Sequence, residues 1–273
     1  MDFPDHPAES LFARYHRPDM IGDDPLLFSK RYPAAADAEV AALLAASFAW
    51  GNVAAIRGAL ERLFARLGPE PSRFLREADA AGLRRAAAGL YYRRIHERDL
   101  EYLFRALGGV LRAHGSLEAL WSASRAPEDA TTLDTAPRFA GALRRLGGDP
   151  PRSRGKSLAG EPLAPGAGLA PFGLAEAAAG SPYKRVHLFL RWVVRPADGI
   201  DLGLWRAESP ARLVVPLDVH MLRVARELGL TARKDASAKT ALEVTAALRA
   251  IDAADPARFD FALVRYGMAN ARR

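Results

Sequence analysis

Residues 180–195 read Gly180-Ser181-Pro182-Tyr183-Lys184-Arg185-Val186-His187-Leu188-Phe189-Leu190-Arg191-Trp192-Val193-Val194-Arg195. The valine and aromatic content would suit a buried strand, but Ser181-Pro182 is a helix start and predicts a helix through Val194. A short helix over residues 172–179 precedes the Gly-Ser-Pro turn, so the whole reads as a helical hairpin. Such a turn presents backbone N–H groups at a helix N-terminus, which suits a phosphate, and makes Gly180, Ser181 and Tyr183 candidate backbone contacts. Lys184 falls in the first turn of the second helix. The helix dipole and Arg185 disfavour its ammonium there, and a lysine that gives up its proton in a partly dry site is an amine nucleophile. A phosphate-contacting or surface lysine is the plain alternative. Arg185, Arg191 and Arg195 follow as candidate nucleic-acid contacts, or equally as one solvated stripe.

Downstream lies Val215-Pro216-Leu217-Asp218-Val219-His220-Met221-Leu222-Arg223-Val224-Ala225-Arg226-Glu227-Leu228-Gly229. Asp218 sits where helices favour an N-cap, and a carboxylate there can cap its helix while also facing a cleft. His220, in the first turn, is a base-pocket candidate or simply a solvent-facing histidine. Helical signals recur along the chain. Asp37 reads as the cap of an apolar helix over 38–50, Asn52 as the cap of one over 53–67, and Asp99 as the opening of a third. Ser116, Ser237 and Asp255-Pro256 start others, with Gly267 as the last stop. Residues 147–172 are rich in Pro, Gly and Ser and read as a long loop. The expected fold is all-α.

The 273 residues carry 39 Lys plus Arg against 32 Asp plus Glu, a net charge of +7. That excess points to a polyanionic partner or to a basic proteome background. Five of the basic residues are lysines. Arginine can serve most phosphate contacts, so Lys184 among arginines calls for a reason. Cysteine is absent, which excludes disulfides, thiolate metal sites, iron–sulfur clusters and a cysteine nucleophile. The N-terminus has no signal-peptide pattern and no apolar run reaches bilayer length, so a cytoplasmic protein is expected.

The helical hairpin with Lys184 on its second helix, followed by Pro216-Leu217-Asp218-Val219-His220, resembles the helix-hairpin-helix DNA glycosylases of the endonuclease III superfamily. This resemblance covers roughly residues 172–230. It is nearest to the archaeal 8-oxoguanine glycosylase branch, which shares a degenerate hairpin and a long Lys-to-Asp spacing. Over nearly its full length the chain also resembles a bacterial family marked by Asp24-Pro25, Arg31-Tyr32, Lys184-Arg185, Phe189-Leu190-Arg191-Trp192-Val193-Val194-Arg195 and Asp201-Leu202-Gly203-Leu204-Trp205. The hairpin departs from the usual Leu-Pro-Gly-Val-Gly and keeps one glycine, Gly180.

The resemblance implies a two-lobed fold with a cleft, one lobe being 38–195 and the other 1–37 with 196–273. It implies a monomeric base-excision-repair enzyme of the nucleoid, a DNA glycosylase with abasic-site lyase activity, acting without a cofactor or metal on double-stranded DNA. A damaged purine, with 8-oxoguanine as the specific expectation, would be flipped into a pocket. Lys184 and Asp218 would be catalytic. Trp50, Asn52 and His220 would line the base pocket, although a core tryptophan and a capping asparagine explain Trp50 and Asn52 equally well. Two other classes compete: a non-catalytic helix-hairpin-helix DNA- or RNA-binding protein, and a hydrolase with a metal at His187, Asp218 and His220.

Overall fold

The computed structural model describes residues 6–150, 167–174 and 181–270. The described chain is all-helical. Its α-helices are α1 Pro7–Tyr15, α2 Ala35–Phe48, α3 Val53–Leu67, α4 Pro71–Glu77, α5 Ala80–Ala87, α6 Glu97–Ala113, α7 Leu117–Ser124, α8 Thr132–Leu146, α9 Lys184–Val194, α10 Val219–Glu227, α11 Ala238–Ile251 and α12 Phe259–Ala269. Extended pairing among the described residues is limited to one isolated antiparallel bridge, Tyr92 with Ile95.

The expected caps hold for Asn52, Ser116, Asp218 and Ser237, each of which accepts a backbone N–H in the first turn of its helix. Three signals act differently. Asp37 lies inside α2, buried, and its Oδ1 accepts from Ser72 N at 2.8 Å and Ser72 Oγ at 2.6 Å. It therefore satisfies the N-terminus of α4 across space rather than its own helix. Asp99 stands one turn inside α6 and accepts from His96 N at 3.0 Å, the far half of a capping box. Gly267 does not stop the last helix. A Cβ there would lie 2.8 Å from Val224 Cγ2, so the missing side chain lets α12 pack closely on α10.

The described residues form two compact units. One draws on Met1–Gly22, Glu128–Asp134 and Ala178–Arg273, the other on Asp23–Pro127 and Thr135–Ala177. This differs from the expected division, since α9 falls with the C-terminal helices rather than within 38–195. The reason is electrostatic as well as apolar. Arg191 of α9 and Arg195, which follows it, are tied to Asp201, Asp255 and Asp260, all downstream in sequence. The core of the C-terminal unit gathers Val215, Leu217, Met221, Val224, Val244, Leu248, Phe259 and Leu263. The other unit is built around α2, whose residues from Asp37 to Phe48 are all buried.

Most of the expected 147–172 loop, the second half of the expected 172–179 helix, and Gly180 lie outside the described residues. Residues 167–172 form a short 3-10 helix.

Candidate active site

α9 begins at Lys184 because Tyr183 ahead of it takes a left-handed conformation, φ 45° and ψ 38°. An aromatic residue rarely adopts that backbone, and its buried ring must hold it there. The Tyr183 N–H donates to Ser181 Oγ at 3.3 Å. The turn thus uses the Tyr183 donor internally, while Lys184 becomes the first helical side chain.

Asp218 caps α10. Its Oδ1 accepts from His220 N at 3.0 Å and Met221 N at 2.9 Å. Its Oδ2 lies 3.6 Å from Lys184 Nζ, and the two side chains are 26% and 29% exposed. The separation is an ion pair but too long for a hydrogen bond. The pair therefore combines partial shelter with access from solvent. Beside it, Val219 is 70% exposed and His220 is on the surface.

Behind Lys184 on the same stripe of α9, the two arginines turn inward. Arg191 is 3% exposed and Arg195 4%. Arg191 Nη1 reaches Asp260 Oδ2 at 2.6 Å, and Nε and Nη2 reach Asp201 Oδ1 at 3.2 and 3.1 Å. Arg195 binds Asp201 as well, together with Asp255 at 2.8 Å and Asp198 at 3.1 Å. His16 Nε2 joins at Asp198, 2.8 Å away. A buried guanidinium committed to carboxylates cannot reach a phosphate, so Arg191 and Arg195 leave the nucleic-acid-contact set. They are not a solvated stripe either.

Two arginines face four aspartates in this cluster, and the pKa values respond. Burial pushes the Asp260 carboxyl up to about 6, against the pull of Arg191; the charge of Asp218 pushes it further up and that of Lys184 down. Burial also raises Asp198, but the hydrogen bond from His16, the backbone N–H groups of Asp201 and Ile200, and Arg195 together hold it well below the usual carboxylate range.

Ser181 and Arg185 are half-buried. Trp50 and Asn52 belong to the other compact unit. Asn52 Oδ1 accepts from Ala55 N at 3.2 Å, which is the capping role. Trp50 is half-buried, with the Arg93 guanidinium 4.6 Å from its ring centroid and Tyr92 meeting it edge-on. His187, 1% exposed, pairs through Nδ1 with Thr132 Oγ1 at 3.2 Å, and its Nε2 is buried without a partner. Burial lowers its pKa to about 3. No group of three His, Cys, Asp or Glu that could hold a metal ion occurs among the described residues. No described helix is long and apolar enough to cross a membrane.

Sequence reasoning missed Asp260. The signal was present: one carboxylate inside the apolar run Phe259-Asp260-Phe261-Ala262-Leu263. A charge in such a run needs a buried partner.

A family model described as "Protein of unknown function (DUF2400)" matches residues 24–269. The chain belongs to this DUF2400 family. Its match takes in Lys184, Asp218, Arg191 and Asp260 alike. No curated protein and no solved structure matches the chain.

Proposed function

We propose that this DUF2400 protein is a DNA repair glycosylase with abasic-site lyase activity, built on a helix-hairpin-helix glycosylase fold. The observation that carries the reading is the approach of Lys184 Nζ to within 3.6 Å of Asp218 Oδ2, at the starts of two helices more than thirty residues apart in sequence. The resemblance assigns the catalytic roles to those same two residues.

In the proposed reaction Lys184, once its ammonium has released a proton to solvent, attacks C1′ of the target nucleotide through the free amine. The C1′–base bond breaks, and the departing purine takes the electron pair and a proton from solvent water. Asp218 Oδ2 stabilises the positive charge that develops on the sugar and accepts the lysine proton, while Oδ1 stays occupied with the helix N-terminus. The adduct opens to a Schiff base. Loss of a 2′ proton then expels the 3′ phosphate and nicks the strand. Arginine cannot substitute for Lys184, because its guanidinium keeps its proton. The substrate is double-stranded DNA carrying a damaged purine, with 8-oxoguanine the favoured lesion.

Borohydride trapping on duplexes with an abasic site or 8-oxoguanine tests this. The expected result is a covalent protein–DNA adduct with wild type and none with Lys184→Arg. Binding without an adduct would identify a non-catalytic nucleic-acid-binding protein instead, and turnover abolished by a chelator would identify a metal-dependent hydrolase.

A further inference from the structure

Asp260 is fully buried on α12, and nothing in the proposed reaction uses it. Its Oδ2 is held by Arg191 at 2.6 Å, whereas its Oδ1 is buried without a hydrogen-bond partner. Leaving a carboxylate oxygen unsatisfied in the interior is costly. Arg191 stands seven residues, or two turns, along α9 from Lys184 and on the same face. α12 in turn packs on α10, the helix that Asp218 caps. Gly267 permits the close approach, and the Arg223 guanidinium of α10 donates to Gly267 O. One carboxylate thus links the helix that starts with the lysine to the helix packed against the aspartate's own.

We infer that Asp260 is a positioning residue for the Lys184–Asp218 pair, clamping α9 to the α10–α12 layer through Arg191 and coupling its own charge to that of both members. The inference rests on the glycosylase reading for its catalytic meaning, but the coupling is a property of the folded protein alone. The groups that face Asp260 are Arg191 from α9, Asp201 across the same guanidinium, and Lys184 and Asp218 through their charges. If the clamp is real, removing either member of the pair must change how Asp260 binds its proton, and removing Asp260 must change how the pair works.

The first measurement needs no activity. Carbon-13 NMR follows the Asp260 carboxyl through a pH titration in wild type, Asp218→Asn and Lys184→Met. Both substituted side chains are partly exposed, so the fold should survive. Loss of the Asp218 charge should lower the Asp260 midpoint from about 6 and loss of Lys184 should raise it, each by roughly half a pH unit. A midpoint that neither substitution moves overturns the inference.

The second measurement is the pH profile of borohydride trapping in wild type and Asp260→Asn. A positioning role predicts a trapping rate at least about tenfold lower, with affinity for abasic DNA unchanged and the inflection near pH 6 lost. An Asn variant that traps at the wild-type rate with the inflection intact also overturns the inference. Should wild type fail to trap while both midpoint shifts are present, the glycosylase reading falls and the coupling of Asp260 to the pair stands.

Discussion

Asp218 divides its two oxygens between the backbone and the lysine, so its two roles are separable by one atom. Asn keeps an acceptor for the His220 and Met221 N–H groups and replaces the other oxygen with an uncharged amide. Asp218→Asn should therefore cost only a few tenths of a kcal/mol in denaturant unfolding. On the proposed glycosylase reading, base excision should fall on the order of 10²–10⁴-fold. Wild-type excision rates in that variant would leave capping as the residue's whole role. His187 offers a second test. Thr132 accepts the Val214 N–H at 3.2 Å, and its hydroxyl shares a second hydrogen bond with His187 Nδ1 at 3.2 Å. The folded protein resists protonating this buried imidazole, whose pKa drops to about 3. Its contribution to stability is full above the unfolded value near 6.5 and is lost as the pH falls from there towards 3. Unfolding free energies measured between pH 6.5 and 4 should decline less steeply in His187→Leu than in wild type. Parallel declines would mean that the ring titrates normally.

At the scale of elements, α2 shows how an apolar helix can carry charge without paying for it in solvation. Of its two carboxylates, Asp37 receives Ser72 at the start of α4. Glu39 receives Leu117 N at 3.0 Å and Glu118 N at 2.7 Å at the start of α7. Each supplies a helix N-terminus that its own neighbouring sequence leaves short of acceptors, and the helix dipoles favour the negative charge. Glu39→Ala should lower the unfolding free energy by about 2 kcal/mol, because two donors at a buried helix start lose their acceptor. A change within about 0.5 kcal/mol would show that Ser116 caps α7 alone. The contact of α12 with α10 is the other element-level constraint. Gly267→Ala forces a methyl group against Val224 and should destabilise the fold by about 1–3 kcal/mol. Val224→Ala in the same chain should recover part of that loss.

For the whole molecule, the burial of Arg191 and Arg195 changes what the net charge of +7 means. Those two charges are cancelled internally, so the proposed nucleic-acid footprint would draw on other basic residues, Lys184 and Arg185 among them. With about two to four phosphates engaged, log affinity for duplex DNA should fall against log salt with a slope of roughly −2 to −4. A flat dependence would remove nucleic acid as the partner. Arg191→Met should leave that slope unchanged in the folded protein while costing about 3–5 kcal/mol of stability, since it strands Asp260 without its cation and leaves Asp201 to Arg195 alone. A reduced slope with undiminished stability would place Arg191 on the binding surface after all.

The sequence by itself determined the all-helical class and the starts of several helices, though not α1, α4 or α5. Periodic apolar residues, Asn52, Ser116, Asp218 and Ser237 as caps, and Pro behind Ser or Asp are local signals, and the physics that reads them acts within a turn or two. It also marked Lys184 and Asp218 as candidates, since a lysine at a helix start and a capping carboxylate are visible in one dimension. Only the tertiary structure decided where charged side chains point. Asp37 resembles a cap in sequence but serves a helix 35 residues away. Arg191 and Arg195 resemble a solvated or DNA-facing stripe until Asp201, Asp255 and Asp260 are folded against them. Gly267 resembles a stop until α10 is laid on it. In each case the partner is remote in the chain, and a buried charge or a missing Cβ takes its meaning from that partner alone.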